Sequence, residues 1–218
     1  MHKAQSDILS AVLIVAIALA LASSAYTWGI PLIQKRQDTA LSERIDSSFN
    51  QENVNSLPNT IEAIANNGGE KNFIIDAKGL WVLNTFESGG NYIQFIFATK
   101  ASKFATDTTN PISLTPGVDC ASYSPPNGTL GLDKASVVCV NATRVGDEIQ
   151  ITYRVLFREL YENPFATNAK GYQIVLMEDS SGLTSSTEKT IKISFSATST
   201  DLSGGKTLIR KEIKILLI

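Results

Sequence analysis

Histidine is almost missing from this chain: the one copy is His2. Its scarcity leaves the body of the chain without a Ser–His or Cys–His nucleophile pair and without a common zinc ligand. Cysteine stops at two, Cys120 and Cys139, too few for a structural zinc site without histidine. In an exported domain they form one disulfide, closing a loop of about 20 residues worth roughly 3 kcal/mol in the chain-entropy estimate; two separate buried thiols are the other reading. Charge is also scarce. Charged residues are 18 % of the chain, against about 25 % in ordinary globular domains, and Ser, Thr and Asn fill the gap. A net charge of −2 and a pI near 5.5 lack the basic excess of a nucleic-acid binder, so no nucleic-acid partner is expected. No phosphate-cradling glycine loop is present; Gly68-Gly69, Gly89-Gly90 and Gly204-Gly205 read as turns. Asp107, Asp119, Asp133 and Asp147 read as solvated turn carboxylates, with a loop calcium site as the alternative, although no EF-hand spacing supports it. The expectation is no cofactor, no metal and no catalytic residues.

One feature dominates what is there. After Asp7 the next charge is Lys35, which leaves about 27 uncharged residues, roughly 40 Å of helix at 1.5 Å per residue. About 20 such residues cross a bilayer core. Three readings fit. A secretory signal peptide would be shorter, although Ala20, Ala22 and Ser24 imitate a small-x-small cleavage site near Ala25. A plain membrane anchor fits the length. The third reading keeps the helix but removes what precedes it: Met1-His2-Lys3-Ala4 is a basic leader, set before Gln5-Ser6-Asp7-Ile8-Leu9. Lys3 and His2 are balanced by Lys35 and Arg36 on the other side, so positive charge does not fix an orientation. Tyr26 and Trp28 stand near the outer end of the run, where amphipathic rings favour an interface.

Beyond the run, the helix is expected to continue to about residue 55, with a kink near Gly29-Ile30-Pro31. Leu41, Ile45 and Phe49 recur at i, i+4, i+8 among polar residues, a narrow stripe for packing on the following domain. A second helix is expected from Leu57 to Asn66, with Pro58 in its first turn, Asn59 and Glu62 as a possible capping-box pair, and Asn66-Asn67-Gly68-Gly69 as its end. From Phe73 the period becomes two. Residues 72–75 and 80–86 read as a hairpin about Asp76-Ala77-Lys78-Gly79, and Tyr92 to Ala98 as a largely buried strand. Residues 99–133 form a proline-rich excursion, tied at Cys120 if the cysteines pair. Residues 135–142 and 148–157 pair across Val145-Gly146-Asp147, and strands near 172–177, 190–197 and 208–218 complete eight or nine. This is an α+β chain: a long apolar helix, then a mainly antiparallel β-sandwich head. Two sequons, Asn127-Gly128-Thr129 in a Pro-Pro-Asn-Gly turn and Asn141-Ala142-Thr143 after a strand-like run and before a turn, point to N-glycosylation of an exported head; Pro111 disqualifies Asn110.

The leader, the Lys3-Ala4/Gln5 junction and the helix behind it resemble archaeal type IV pilins and archaellins, whose class III signal peptides are cut ahead of the hydrophobic helix. The resemblance covers about the first quarter of the chain; the head carries no diagnostic motif. It implies a leader at 1–4, a helix at 5–55 that spans the membrane and later forms the filament core, and a head at 56–218. It also implies a prepilin peptidase cutting after Ala4, an assembly ATPase and a membrane platform protein as partners, and identical subunits in an extracellular filament for adhesion or motility. The glutamate that bacterial pilins carry at mature position five is Leu9 here, and Asp7 is the nearest substitute for a polar contact with a neighbour's N-terminus. The alternatives are an anchored extracytoplasmic binding domain that never polymerises, and a secreted β-protein that loses the helix.

Overall fold

The computed structural model describes residues 2–218 except 107–109, Ser122, Ser124, Pro164, Thr167 and Gly204; for residues 2–9 and Ser203 it describes the backbone alone. The chain divides into two compact units, Met1–Ala40 and Leu41–Ile218. Helix α1 (His2–Phe49) supplies the first unit and opens the second. Helical residues run unbroken through Gly29-Ile30-Pro31, and α1 ends at Phe49 rather than near residue 55. The next seven residues turn instead, with Asn53 N donating to Asn50 O and Ser56 N to Asn53 O, while the Asn50 and Asn53 side chains cap the amides of Glu52 and Asn55. Asparagine bonds its own neighbouring backbone in this way and so competes with the helix.

In the second unit, α2 (Leu57–Asn67) precedes twelve strands: β1 (Glu70–Ile74), β2 (Leu80–Asn84), β3 (Tyr92–Thr99), β4 (Ile112–Ser113), β5 (Gly128–Thr129), β6 (Ser136–Val145), β7 (Glu148–Phe157), β8 (Leu160–Tyr161), β9 (Lys170–Glu178), β10 (Ser185–Ser186), β11 (Thr190–Ser203) and β12 (Lys206–Leu217). They form two six-stranded sheets, in the orders β1-β11-β12-β9-β8-β5 and β10-β2-β3-β7-β6-β4. Pairing is antiparallel except for β12 with β9 and β5 with β8. The expected sandwich is thus present.

Alternation builds its core. From the first sheet Phe73, Ile191, Ile193, Ile213, Ile215, Ile174 and Leu176 are buried; from the second, Trp81, Leu83, Ile93, Phe95, Ile151, Tyr153 and Val155. Period-two burial of this kind puts one face of each strand on the opposing sheet. The C-terminal strand is central, flanked by β11 and β9, which accounts for its aliphatic run. The β6–β7 hairpin turns on Gly146 at φ 64°, and Gly68 and Gly69 end α2 with positive φ, as their sequence suggests.

Two local expectations fail. Residues 72–75 and 80–86 do not form a hairpin: β1 pairs with β11 in one sheet, β2 with β3 and β10 in the other. Residues 75–79 cross between the sheets. Buried Ile75 and Ala77 turn inward there, and Gly79 passes so close to Phe95 that an added Cβ would lie 2.3 Å from the ring. Period two marks a strand and not its partner. The Asn59/Glu62 capping box is also absent. Asn59 donates to Gln51 O and Asn53 O, and Glu62 accepts from the Ser136 amide at 2.9 Å and its hydroxyl at 2.6 Å. Carbonyls of the preceding turn take the Asn59 amide and Ser136 donors take the Glu62 carboxylate, and Ser56 holds the N-cap position without a side-chain bond.

The excursion is tied down at several of its described residues. Cys120 and Cys139 are disulfide-bonded, with Cα atoms 5.9 Å apart. Thr115 Oγ1 accepts from Val138 N, and Leu114 N donates to Val138 O. Arg154 places its guanidinium over Tyr92 at 4.3 Å and over Tyr123 at 3.9 Å, so one cation clamps the excursion to the outer face of the second sheet.

Candidate membrane and assembly helix

Residues from Ser10 onward in α1 are long and apolar enough to cross a membrane, with mean hydropathy 2.0 in the best window and none of that window buried. Val12, Leu13, Ile14, Val15, Ile17, Leu19 and Leu21 are each 51–66 % exposed. They point in all directions, so no single soluble neighbour covers them. Burying one such side chain stabilises by about 1.5–3 kcal/mol, so the seven together represent on the order of 10–20 kcal/mol. That matches or exceeds the whole stability of an ordinary domain, about 5–15 kcal/mol. A surface of this size belongs in lipid or against other helices.

Small residues break the aliphatic surface. Ala11, Ala18, Ala22, Ala25 and Gly29 fall on one face at 100° per residue, and Gly29 has nothing within 4 Å of an added Cβ. Faces of this kind let helix backbones approach closely where no water competes. Thr27 donates its hydroxyl to Ser23 O and Ser24 O, so it carries no unsatisfied donor into an apolar setting. Tyr26 and Trp28 are 72 % and 77 % exposed.

The last two turns of α1 belong to the head unit. Ile45 and Phe49 are buried and Leu41 is packed beside them, as their spacing suggests. Phe49 stacks on Tyr153 with centroids 4.6 Å apart and also neighbours Trp81 and Phe95. Asp46, one turn earlier, accepts from Tyr153 Oη at 3.1 Å and from Lys103 Nζ at 2.6 Å. The sequence reading names the apolar stripe but misses Asp46, whose partners lie far along the chain.

Burial, reinforced by the Asp46 carboxylate, raises the Tyr153 hydroxyl far above its ordinary value of 10. Burial and Glu62 push Tyr172 up to about 12, and burial with Glu159 does the same for Tyr161. The unfolded chain loses these protons near pH 10 while the folded head keeps them, so their contribution is complete below pH 10 and is lost as pH climbs through 12. Urea midpoints measured from pH 8 to 12 are expected to hold level to about 10 and then fall. Tyr153→Phe should fall less steeply.

The remaining sequence-derived positions are dispersed. The side chains of Lys3, Ala4, Gln5 and Asp7 lie outside the described residues, as does all of Asp107. Asp133 accepts from Thr129 N at 2.6 Å and sits 3.6 Å from Arg158; Asp119 caps Ala121 N; Asp147 lies exposed in the β6–β7 turn. Among the described residues no cluster of three or more His, Cys, Asp or Glu side chains is placed to hold a metal ion. Asn127 is exposed, whereas Asn141 lies within β6 and not after it, because Thr143, Arg144 and Val145 extend the strand against Gln150, Ile149 and Glu148.

A second residue invisible to sequence reasoning is Asn91. It is buried at φ 120°, donates from Nδ2 to Phe157 O at 3.2 Å and Ile174 O at 2.7 Å, and accepts from Leu176 N at 2.8 Å. One carboxamide thus joins β7 of one sheet to β9 of the other. No family model, curated protein or solved structure matches this chain.

Proposed function

We propose that this chain is the structural subunit of a surface filament of the archaeal type IV pilin or archaellin kind, without catalytic activity or cofactor. It is made as a membrane-embedded precursor, cut after Ala4 by a prepilin peptidase, and polymerised through α1 by an assembly ATPase and a membrane platform protein. The observation that carries this reading is the exposed apolar stretch of α1 at the start of a chain whose other unit is a two-sheet β-sandwich with its own core. Leaving lipid is offset only where the helix enters another dry environment, and a bundle of identical helices provides one. One heterologous contact, repeated, generates an open helical polymer. The small face of α1 supports close packing in such a bundle. The sandwich heads coat the shaft and present the surface that adheres or, in a motile filament, meets the medium.

Mass spectrometry of the native N-terminus tests the processing step. A chain beginning at Gln5 is the expected result. An intact Met1 would make the helix a plain membrane anchor, and a chain beginning near Ser23–Tyr26 would make the protein a secreted β-domain.

A further inference from the structure

The two sequons meet different surroundings in the head. Asn127 is exposed on the rim of a groove of about 440 Å³ lined by Tyr92, Tyr123, Arg158, Glu159 and Gln173. Arg158 and Gln173 are buried in its floor, 7 % and 6 % exposed. The peptide around Asn127 is fixed on both sides: Arg158 donates to Pro126 O at 3.4 Å, Gly128 N to Glu159 O at 2.9 Å, and Thr129 N to the Asp133 carboxylate at 2.6 Å. Gly128 itself is pressed inward, since an added Cβ would lie 2.7 Å from Leu160 Cδ2 and 3.0 Å from Arg158 Cζ. Asn127 is therefore held in one position beside the groove.

Asn141 is placed otherwise. It stands in the middle of β6, paired with Thr152, between buried Val140 and Ala142. Its Oδ1 is closed off from solvent and has no hydrogen-bond partner among the described residues. Its backbone is held in the β6–β7 ladder and the residue is only partly exposed, so a transferase acting on the folded head reaches its acceptor nitrogen less readily than that of Asn127.

We infer that Asn127 alone carries an N-linked glycan, and that its first sugars lie in the adjoining groove. The groove has the character of a carbohydrate seat: concave, and lined by the Tyr92 and Tyr123 rings together with amide, guanidinium and carboxylate groups. A sugar seated there covers the excursion where Tyr123 and Pro125 line the groove. The inference rests on the head being exported, as proposed above.

Peptide mass spectrometry of native protein, digested without reduction, tests site choice and export together. The expected result is hexose-containing mass on the Asn127 peptide, an unmodified Asn141 peptide, and Cys120 linked to Cys139. A linked pair with a bare Asn127 or a modified Asn141 overturns the inference and leaves export standing; free thiols with no sugar overturn both. Thermolysin cleavage within residues 114–132 tests the seat. Thr129→Ala, made in the native host, should be cut at least fivefold faster than wild type, and Thr129→Ser, which keeps the acceptor, at the wild-type rate. In unglycosylated protein from a bacterial host, Thr129→Ala and wild type should be cut alike. Equal cleavage of Thr129→Ala and wild type from the native host would overturn the seating.

Discussion

Leu19→Asp is expected to remove this chain from sedimentable filaments almost completely while leaving the head folded. Leu19 lies near the centre of the uncharged run and is 66 % exposed. At the centre of a membrane helix leucine contributes about −0.5 kcal/mol and aspartate roughly +3 kcal/mol, a difference of about 3–4 kcal/mol for the precursor in lipid. In a helix bundle the carboxylate meets the same absence of water, and no side chain between Asp7 and Lys35 carries a charge to pair with it. Each 1.4 kcal/mol is a factor of ten, so assembled subunit should fall by at least two orders of magnitude. Placing a second aspartate at Val15, one turn earlier on the same face, should also reduce the membrane-bound precursor. Leu19→Ile keeps the volume and polarity and should assemble normally. Quantitative blotting of sheared filaments against the membrane fraction reads all three.

Asn91→Ala carries the largest expected cost to the head. It strands Leu176 N–H, Ile174 O and Phe157 O in the interior. Each buried group left without its partner costs about 1–3 kcal/mol. A residue other than Gly or Asn at φ 120° adds about 1–3 kcal/mol of backbone strain. The sum, about 4–12 kcal/mol, is comparable to the stability of many domains. At roughly 2–4 °C per kcal/mol for a chain of this size, the melting temperature of the detergent-solubilised protein should fall by at least about 8 °C. Asn91→Gly removes the strain and not the lost bonds, so it should recover only part of the loss. A melting temperature within 2 °C of wild type for Asn91→Ala would show that the carboxamide does not join the sheets.

These two residues mark what was legible in the sequence and what was not. Leu19 is conspicuous because the charge gap around it is a one-dimensional property. Leu41, Ile45 and Phe49 are equally plain, since helical spacing alone puts them on one face, and the structure buries that face as expected. The sandwich was legible from the count and alternation of strands, and the β6–β7 hairpin from its Gly-Asp turn. The partner of a strand was not. Residues 72–75 and 80–86 look like a hairpin, but the turn between them carries β1 to one sheet and β2 to the other. The Asn59/Glu62 pair had the right spacing for a capping box, but Asn59 donates to the carbonyls of Gln51 and Asn53 and Glu62 accepts from Ser136. Asn91 gives no signal because its partners lie 66 to 85 residues away. The Pro-Pro-Asn-Gly turn marks Asn127 as accessible, as the structure bears out, whereas Asn141 reads as following a strand and only the fold sets it inside β6.

The central claim is that α1 leaves the membrane to pack against copies of itself, and cryo-electron microscopy of surface filaments sheared from native cells tests it most directly. The account predicts filaments containing this chain, with a core of α1 helices from many subunits packed through the stretch around residues 11–29 and the sandwich heads outside. Filaments that lack the chain, with the protein recovered from membranes only as a detergent-solubilised monomer, would contradict it.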